Sequence, residues 1–170
     1  MFKISKKNLR QIGALILMCF ALDHLGSLTK RCLYLNISSS MPEGIYKAVD
    51  AHIVKEGDIV VFPIPENISA FAKRVEWLRS RKLLLKRVVG TSGDSVCFYG
   101  EGAIVSGRKF FAMKTDSAGH SLPREKSRCV VLSNGELFVA GDSATSFDSR
   151  YFGPILSSEV VSVVVPIFTQ

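Results

Sequence analysis

A chain of 170 residues, 47% of them hydrophobic, has room for one domain with a core of its own. Its 22 Lys and Arg exceed its 15 Asp and Glu, giving a net charge of +7. That charge is scattered apart from the first ten residues and the segment 73–87, so it reads as topology and a solvated face and no nucleic-acid partner is expected. The four cysteines form no Cys-x-x-Cys pair and the three histidines, His24, His52 and His120, stand far apart, which argues against a metal site.

Residues 1–10 carry Lys3, Lys6, Lys7 and Arg10 and no acid. An apolar run follows from Ile12 to Leu22, is interrupted by Asp23 and His24, and resumes to Leu28. Counted through Leu28 it approaches the lower limit of about 17 residues for a membrane-spanning helix. We expect residues 1–10 to form a cytoplasmic flank, residues 11–29 a single transmembrane anchor, and residues 30–170 an exported domain. The competing reading is a cleaved signal peptide, with Cys19 and Ala21 as small residues near a weak cleavage site. The length of the run and the lack of a clean small-x-small pattern favour the anchor.

Next comes a polar turn, Ser38-Ser39-Ser40-Met41-Pro42-Glu43-Gly44, which offers three hydroxyls, a rigid proline and a permissive glycine. Such a turn is an ordinary loop, and it is also a place where an exposed nucleophile stands beside backbone N–H groups. Residues 44–49 read as a short strand, and the β-branched and aromatic run Ile59 to Phe62 as a buried one, ended by Pro63 and Pro65. From Asn67 to Arg81 the apolar residues Ala70, Phe71, Val75, Trp77 and Leu78 predict an amphipathic helix, packed on the core or touching a membrane surface through Phe71 and Trp77.

Leu83 to Gly90 reads as another buried strand, with two cations in its middle. By strand alternation Lys86 shares a face with Leu84 and Val88, and Arg87 points the other way. A lysine on a core-facing side is costly unless paired or neutral. It either snorkels at a sheet edge or is desolvated and able to act as a general base.

Strands are predicted over 95–99, 103–105, 129–132, 136–140 and 160–167, separated by Gly-rich turns and by two polar loops, 116–123 and 141–154. The fold class is therefore mainly β, an antiparallel domain with one short helix behind the N-terminal transmembrane helix. Cys97 and Cys129 fall in this domain and form either a disulfide or two buried thiols.

Three stretches together carry a resemblance. They are Ser38-x-Ser40-Met41-Pro42, then Leu85-Lys86-Arg87-Val88-Val89-Gly90-x-x-Gly93-Asp94, then Gly141-Asp142 with Ser146-Phe147-Asp148-Ser149-Arg150-Tyr151-Phe152-Gly153. In this order behind an anchor they resemble the bacterial type I signal peptidases. The spacing Asn36-x-x-x-Ser40-x-Pro42-x-Gly44-x-Tyr46 is closest to the TraF-type conjugal-transfer peptidases. Pro42 follows Met41 directly, and the loop from Gly141 to Ser146 is about one residue shorter than in general leader peptidases and lacks their asparagines. Both departures suit that branch.

The resemblance implies a serine–lysine endopeptidase in the bacterial inner membrane, its catalytic domain in the periplasm, needing no cofactor and no metal. It assigns Ser40 as nucleophile and Lys86 as general base. The backbone N–H of Ser40 and the hydroxyl of Ser38 would bind the oxyanion. Ser146 would orient Lys86, Asp148 would form an ion pair with Arg150 or Arg87, and Asp142 would shape the loop beneath the site. The implied substrate is an exported precursor, a conjugative pilin trimmed at its C-terminal end and in some cases cyclised. Alternatives are a general signal peptidase removing signal peptides, a self-cleaving LexA-type repressor, disfavoured because the N-terminal segment reads as a hydrophobic anchor and not as a DNA-binding helix-turn-helix, and an inactive scaffold of a secretion channel.

Overall fold

The computed structural model describes residues 32–50 and 53–170. The expected anchor at 11–29 and the basic flank before it lie outside the described residues, as does His52. No helix among the described residues is long and apolar enough to cross a membrane.

The larger sheet contains β1 (Leu33–Asn36), β2 (Gly44–Val49), β3 (Ile59–Pro63), β4 (Leu83–Gly90), β9 (Glu136–Ala140), β10 (Ile155–Leu156) and β11 (Ser162–Thr169), in the order β1-β2-β11-β3-β4-β9-β10. The smaller sheet has the order β7-β6-β5-β8, built from β5 (Ser95–Tyr99), β6 (Gly102–Val105), β7 (Arg108–Phe111) and β8 (Arg128–Val131). Every pairing is antiparallel. Cys97 and Cys129 are register partners on β5 and β8 and are joined as a disulfide.

β3 and β4 form the centre of the larger sheet, and their side chains alternate as the pleat requires. Val60 lies opposite Lys86 and Phe62 opposite Leu84, so these four share one face. All four are buried, and the principal core packs there with Phe71, Val75, Leu78, Val139, Phe147, Tyr151 and Phe152. A register shift between Val88 and Gly90 bends β4 against β9. Beyond it a second cluster, including Val96, Phe98, Val105 and Phe138, packs the smaller sheet.

The sequence predicts one helix from Asn67 to Arg81. The structure divides it into a 3-10 turn, Glu66–Ile68, then α1 (Ser69–Arg74) and α2 (Glu76–Arg79), because Val75 is extended at φ −100°, ψ 123°. A β-branched residue gives a helix little support. The break keeps Val75 and Leu78 buried while turning the Trp77 ring onto Phe147, 5.5 Å between centroids. Phe71 and Trp77 thus pack against the core, the first of the two arrangements expected. The stretch 141–154, read as a polar loop, contains the short helix α3 (Ser149–Phe152) and is buried from Ser146 to Gly153. β1, β7 and β10 have no counterpart among the strands expected from the sequence.

Candidate active site

The turn between β1 and β2 is organised by Asn36, the last residue of β1 and 7% exposed. Its Nδ2 donates to the carbonyls of Ser38 (2.9 Å), Met41 (3.0 Å) and Pro42 (3.0 Å). Its Oδ1 accepts from the Ser38 N–H (3.2 Å) and the Ser38 hydroxyl (2.9 Å). The Tyr46 hydroxyl donates to the Pro42 carbonyl at 2.7 Å, and Met41 is buried beneath. Gly44 ends the turn at φ +151°, where a Cβ would overlap the Phe168 carbonyl, so only glycine fits. Sequence reasoning placed Asn36 in a motif but gave it no role. Its signal is a short amide side chain four residues before the serine, able to bond several backbone groups of a tight turn.

Ser40 projects from this turn towards β4. Lys86 Nζ lies 2.7 Å from Ser40 Oγ, across 46 residues of chain. Ser38 Oγ is 3.0 Å from Ser40 Oγ. Lys86 is 4% exposed, and burial pushes its amine down to about 8. Among the nearby charges, Asp148 and Asp142 oppose that shift while Arg81 and Arg150 add to it. A lysine so placed is partly neutral near pH 7, where an exposed one is almost wholly charged. A neutral amine at hydrogen-bond distance from a hydroxyl is able to take its proton.

The segment 141–152 closes the site from below. Arg150 Nε donates to Asp148 Oδ1 at 2.7 Å and Arg150 Nη2 to Asp148 Oδ2 at 2.6 Å, both side chains almost wholly buried. The same guanidinium donates to the carbonyls of Phe111, Ser143, Ala144 and Ser146. Asp148 Oδ2 also accepts from the Gly141 N–H at 2.8 Å. A Cβ on Gly141 would overlap both the Ser40 carbonyl and Ser146 Oγ, so the glycine lets this segment approach the turn that carries Ser40. Asp148 therefore pairs with Arg150. Arg87 instead makes two bonds to Asp142, 3.0 and 2.9 Å, on the opposite side of β4.

Ser146 departs from the sequence-based expectation. It is 2% exposed and lines the same cavity as Lys86, yet its Oγ makes no hydrogen bond. The amine is turned to Ser40, and Ser146 is tied in through its backbone, N–H to Ser143 at 3.1 Å and carbonyl to Arg150 at 2.9 Å.

These groups open onto a cavity of about 560 Å³. Ser38, Ser40 and Lys86 line one side, and Leu84, Met113, Leu122 and Phe147 give it apolar walls. Trp77, Arg81 and Asp116 also reach it. Trp77 Nε1 donates to Asp116 Oδ2 at 2.9 Å, which ties the loop after β7 to α2. Sequence reasoning did not connect these three residues to the site, because only the fold brings the loop at 113–122 opposite β4. Among the described residues no cluster of His, Cys, Asp or Glu is able to hold a metal ion.

Comparison with known proteins follows the same lines. The family model described as signal peptidase, peptidase S26, matches residues 7–169. The chain is 32% identical over 144 residues to a plasmid transfer protein TraF of Escherichia coli, covering 79% of this chain and 81% of that one. It is 30% identical over 118 residues to signal peptidase I V of Bacillus subtilis (strain 168), covering 63% and 62%. A solved signal peptidase I from Enterococcus faecalis V583 aligns with 21% identity and a TM-score of 0.41, over 68% of this chain and 100% of that one.

Proposed function

The chain belongs to the S26 signal peptidase family, and from that premise we propose that it is a serine endopeptidase working through Ser40 and Lys86. The observation that carries this reading is the 2.7 Å approach of a buried, partly neutral Lys86 to the Ser40 hydroxyl. Lys86 takes the Ser40 proton as Oγ attacks the scissile carbonyl carbon. The Ser40 N–H and the Ser38 hydroxyl receive the oxyanion, the latter by rotating away from Asn36. The charged lysine then gives its proton to the departing amine, leaving an acyl-enzyme on Ser40. Water resolves it to a free carboxylate, and a second amine resolves it to a new peptide bond.

The substrate of this reading is an exported precursor protein, and within that class a conjugative pilin. The likeness to a plasmid transfer protein TraF extends over 79% of the chain, that to signal peptidase I V over 63%. This supports the conjugal-transfer branch over general signal-peptide removal. We place residues 11–29 in the inner membrane and the catalytic domain on its outer side. Leu33, Leu35, Ile45, Val165, Ile167 and Phe168 support that placement. All are exposed apolar side chains on β1, β2 and β11, with Ile45 the register partner of both Leu35 and Phe168. An apolar strip of this kind suits a lipid surface.

The test is processing of the precursor by the detergent-solubilised full chain. Ser40→Ala and Lys86→Ala should each reduce processing by at least about 10³-fold, in line with loss of nucleophile or base. Processing by both variants at the wild-type rate would refute the peptidase reading. A wild type that leaves the precursor intact would favour an inactive scaffold.

A further inference from the structure

Arg81 follows α2 and reaches into the cavity that holds Ser40 and Lys86. It is half-buried, and its Nε donates to the Trp77 carbonyl at 3.1 Å, which fixes one edge of the guanidinium plane. Among the described residues its terminal nitrogens make no hydrogen bond and no carboxylate lies within ion-pair distance. The carboxylate that the cavity does contain, Asp116, is already occupied. Its Oδ1 accepts from the N–H groups of Ala118 (2.9 Å) and His120 (2.8 Å), and its Oδ2 lies 2.9 Å from both Trp77 Nε1 and His120 Nδ1. A carboxylate offers about four lone-pair sites, so Asp116 is filled without Arg81.

Leu84, Met113, Leu122 and Phe147 line the same cavity, and a cation facing apolar walls has a strong preference for an anionic partner. The two terminal NH2 groups of an arginine match a carboxylate in shape as well as charge. A peptide lying in the cavity would bring its own carboxylates within reach.

We propose that Arg81 sets the specificity of this cavity by receiving a carboxylate of the substrate while Ser40 attacks the scissile bond. That carboxylate belongs to an acidic side chain near the cut or to the substrate's own C-terminus. The inference rests on the serine peptidase reading above.

The charge on Arg81 also acts on the base. It holds the Lys86 amine down together with Arg150, against Asp148 and Asp142. Removing it should move the pH at which kcat/KM rises to higher values, a change that a merely structural arginine far from the base would not produce.

The experiment uses the full chain in detergent and synthetic peptides spanning the cut in the precursor, with the cut mapped by mass spectrometry. Glu is placed in turn at each position flanking the cut and compared with Gln, and each peptide is made with a free and with an amidated C-terminus. The quantity read is the ratio of kcat/KM for acid over amide within each variant, so a general loss of rate cancels. The wild type should favour the acid by about 10- to 100-fold at one side-chain position or at the C-terminus, the range of a charged hydrogen-bonded contact. Arg81→Gln should bring that ratio to about 1. Arg81→Glu should favour a Lys-bearing peptide instead. A wild-type ratio of about 1 everywhere overturns the proposal, and so does a preference that survives in Arg81→Gln. If the wild type cleaves none of the peptides, or Ser40→Ala cleaves them equally well, it is the peptidase reading that fails.

Discussion

At the scale of single residues, the account turns on Lys86. Strand alternation put it on the face of Leu84 and Val88, and that is where it lies, opposite Val60. What alternation does not reveal is the hydroxyl that meets it, because Ser40 arrives from another hairpin. Burial lowers its amine from the ordinary lysine value to about 8. The unfolded chain therefore binds more protons than the folded one between about pH 8 and 10.5, and stability should rise with pH across that window. A shift of this size corresponds to roughly 3 kcal/mol set against folding at neutral pH. Lys86→Met keeps most of the volume without the charge. It should be more stable than the wild type at pH 7, by about 1–3 kcal/mol, with the difference fading towards pH 10.5. Thermal unfolding at the two pH values checks this. A variant less stable than the wild type at pH 7 would mean that the amine is not buried at a cost.

At the scale of elements, the instructive case is the segment 141–152. Its polar residues read as a surface loop, yet from Ser146 onward it is buried, because Asp148 and Arg150 supply the partners that a buried loop would otherwise lack. Arg150 alone serves the carbonyls of Phe111, Ser143, Ala144 and Ser146, and the Ser149 hydroxyl accepts from the Val139 N–H at 3.0 Å. Phe147 then seals the segment to α1 and α2 through Phe71 and Trp77. Asp148→Asn removes the countercharge and leaves a guanidinium buried. It should cost roughly 3–5 kcal/mol, the usual range for breaking a buried pair. Chemical denaturation would measure it, and a cost below about 1 kcal/mol would show the pair to be dispensable. The division of 67–81 at Val75 has the same origin. Helical periodicity was present in the apolar residues, yet tertiary contacts of Trp77 with Phe147 and Asp116 decided the backbone.

At the scale of the whole molecule, most of the antiparallel arrangement was legible, since β-branched runs bounded by glycine turns mark strands one at a time. Strand order was not. β11 inserts between β2 and β3, which joins the last strand to the hairpin that carries Ser40. The disulfide between Cys97 and Cys129 also needed the β5–β8 register to be seen, and a bond of this kind suits an oxidising compartment. Of the site, the serine and lysine stood out by motif and by strand alternation, the role of Asn36 needed the geometry of its turn, and Arg81 and Asp116 became visible only when the fold brought them to one cavity. The proposed chemistry as a whole requires that one amine in this molecule give up its proton near neutral pH. Titration of the Lys86 side chain by NMR in the detergent-solubilised full chain, labelled at lysine and assigned with Lys86→Arg, measures this directly. A midpoint at about 8 is expected. A midpoint at the ordinary lysine value of about 10.4 would contradict it.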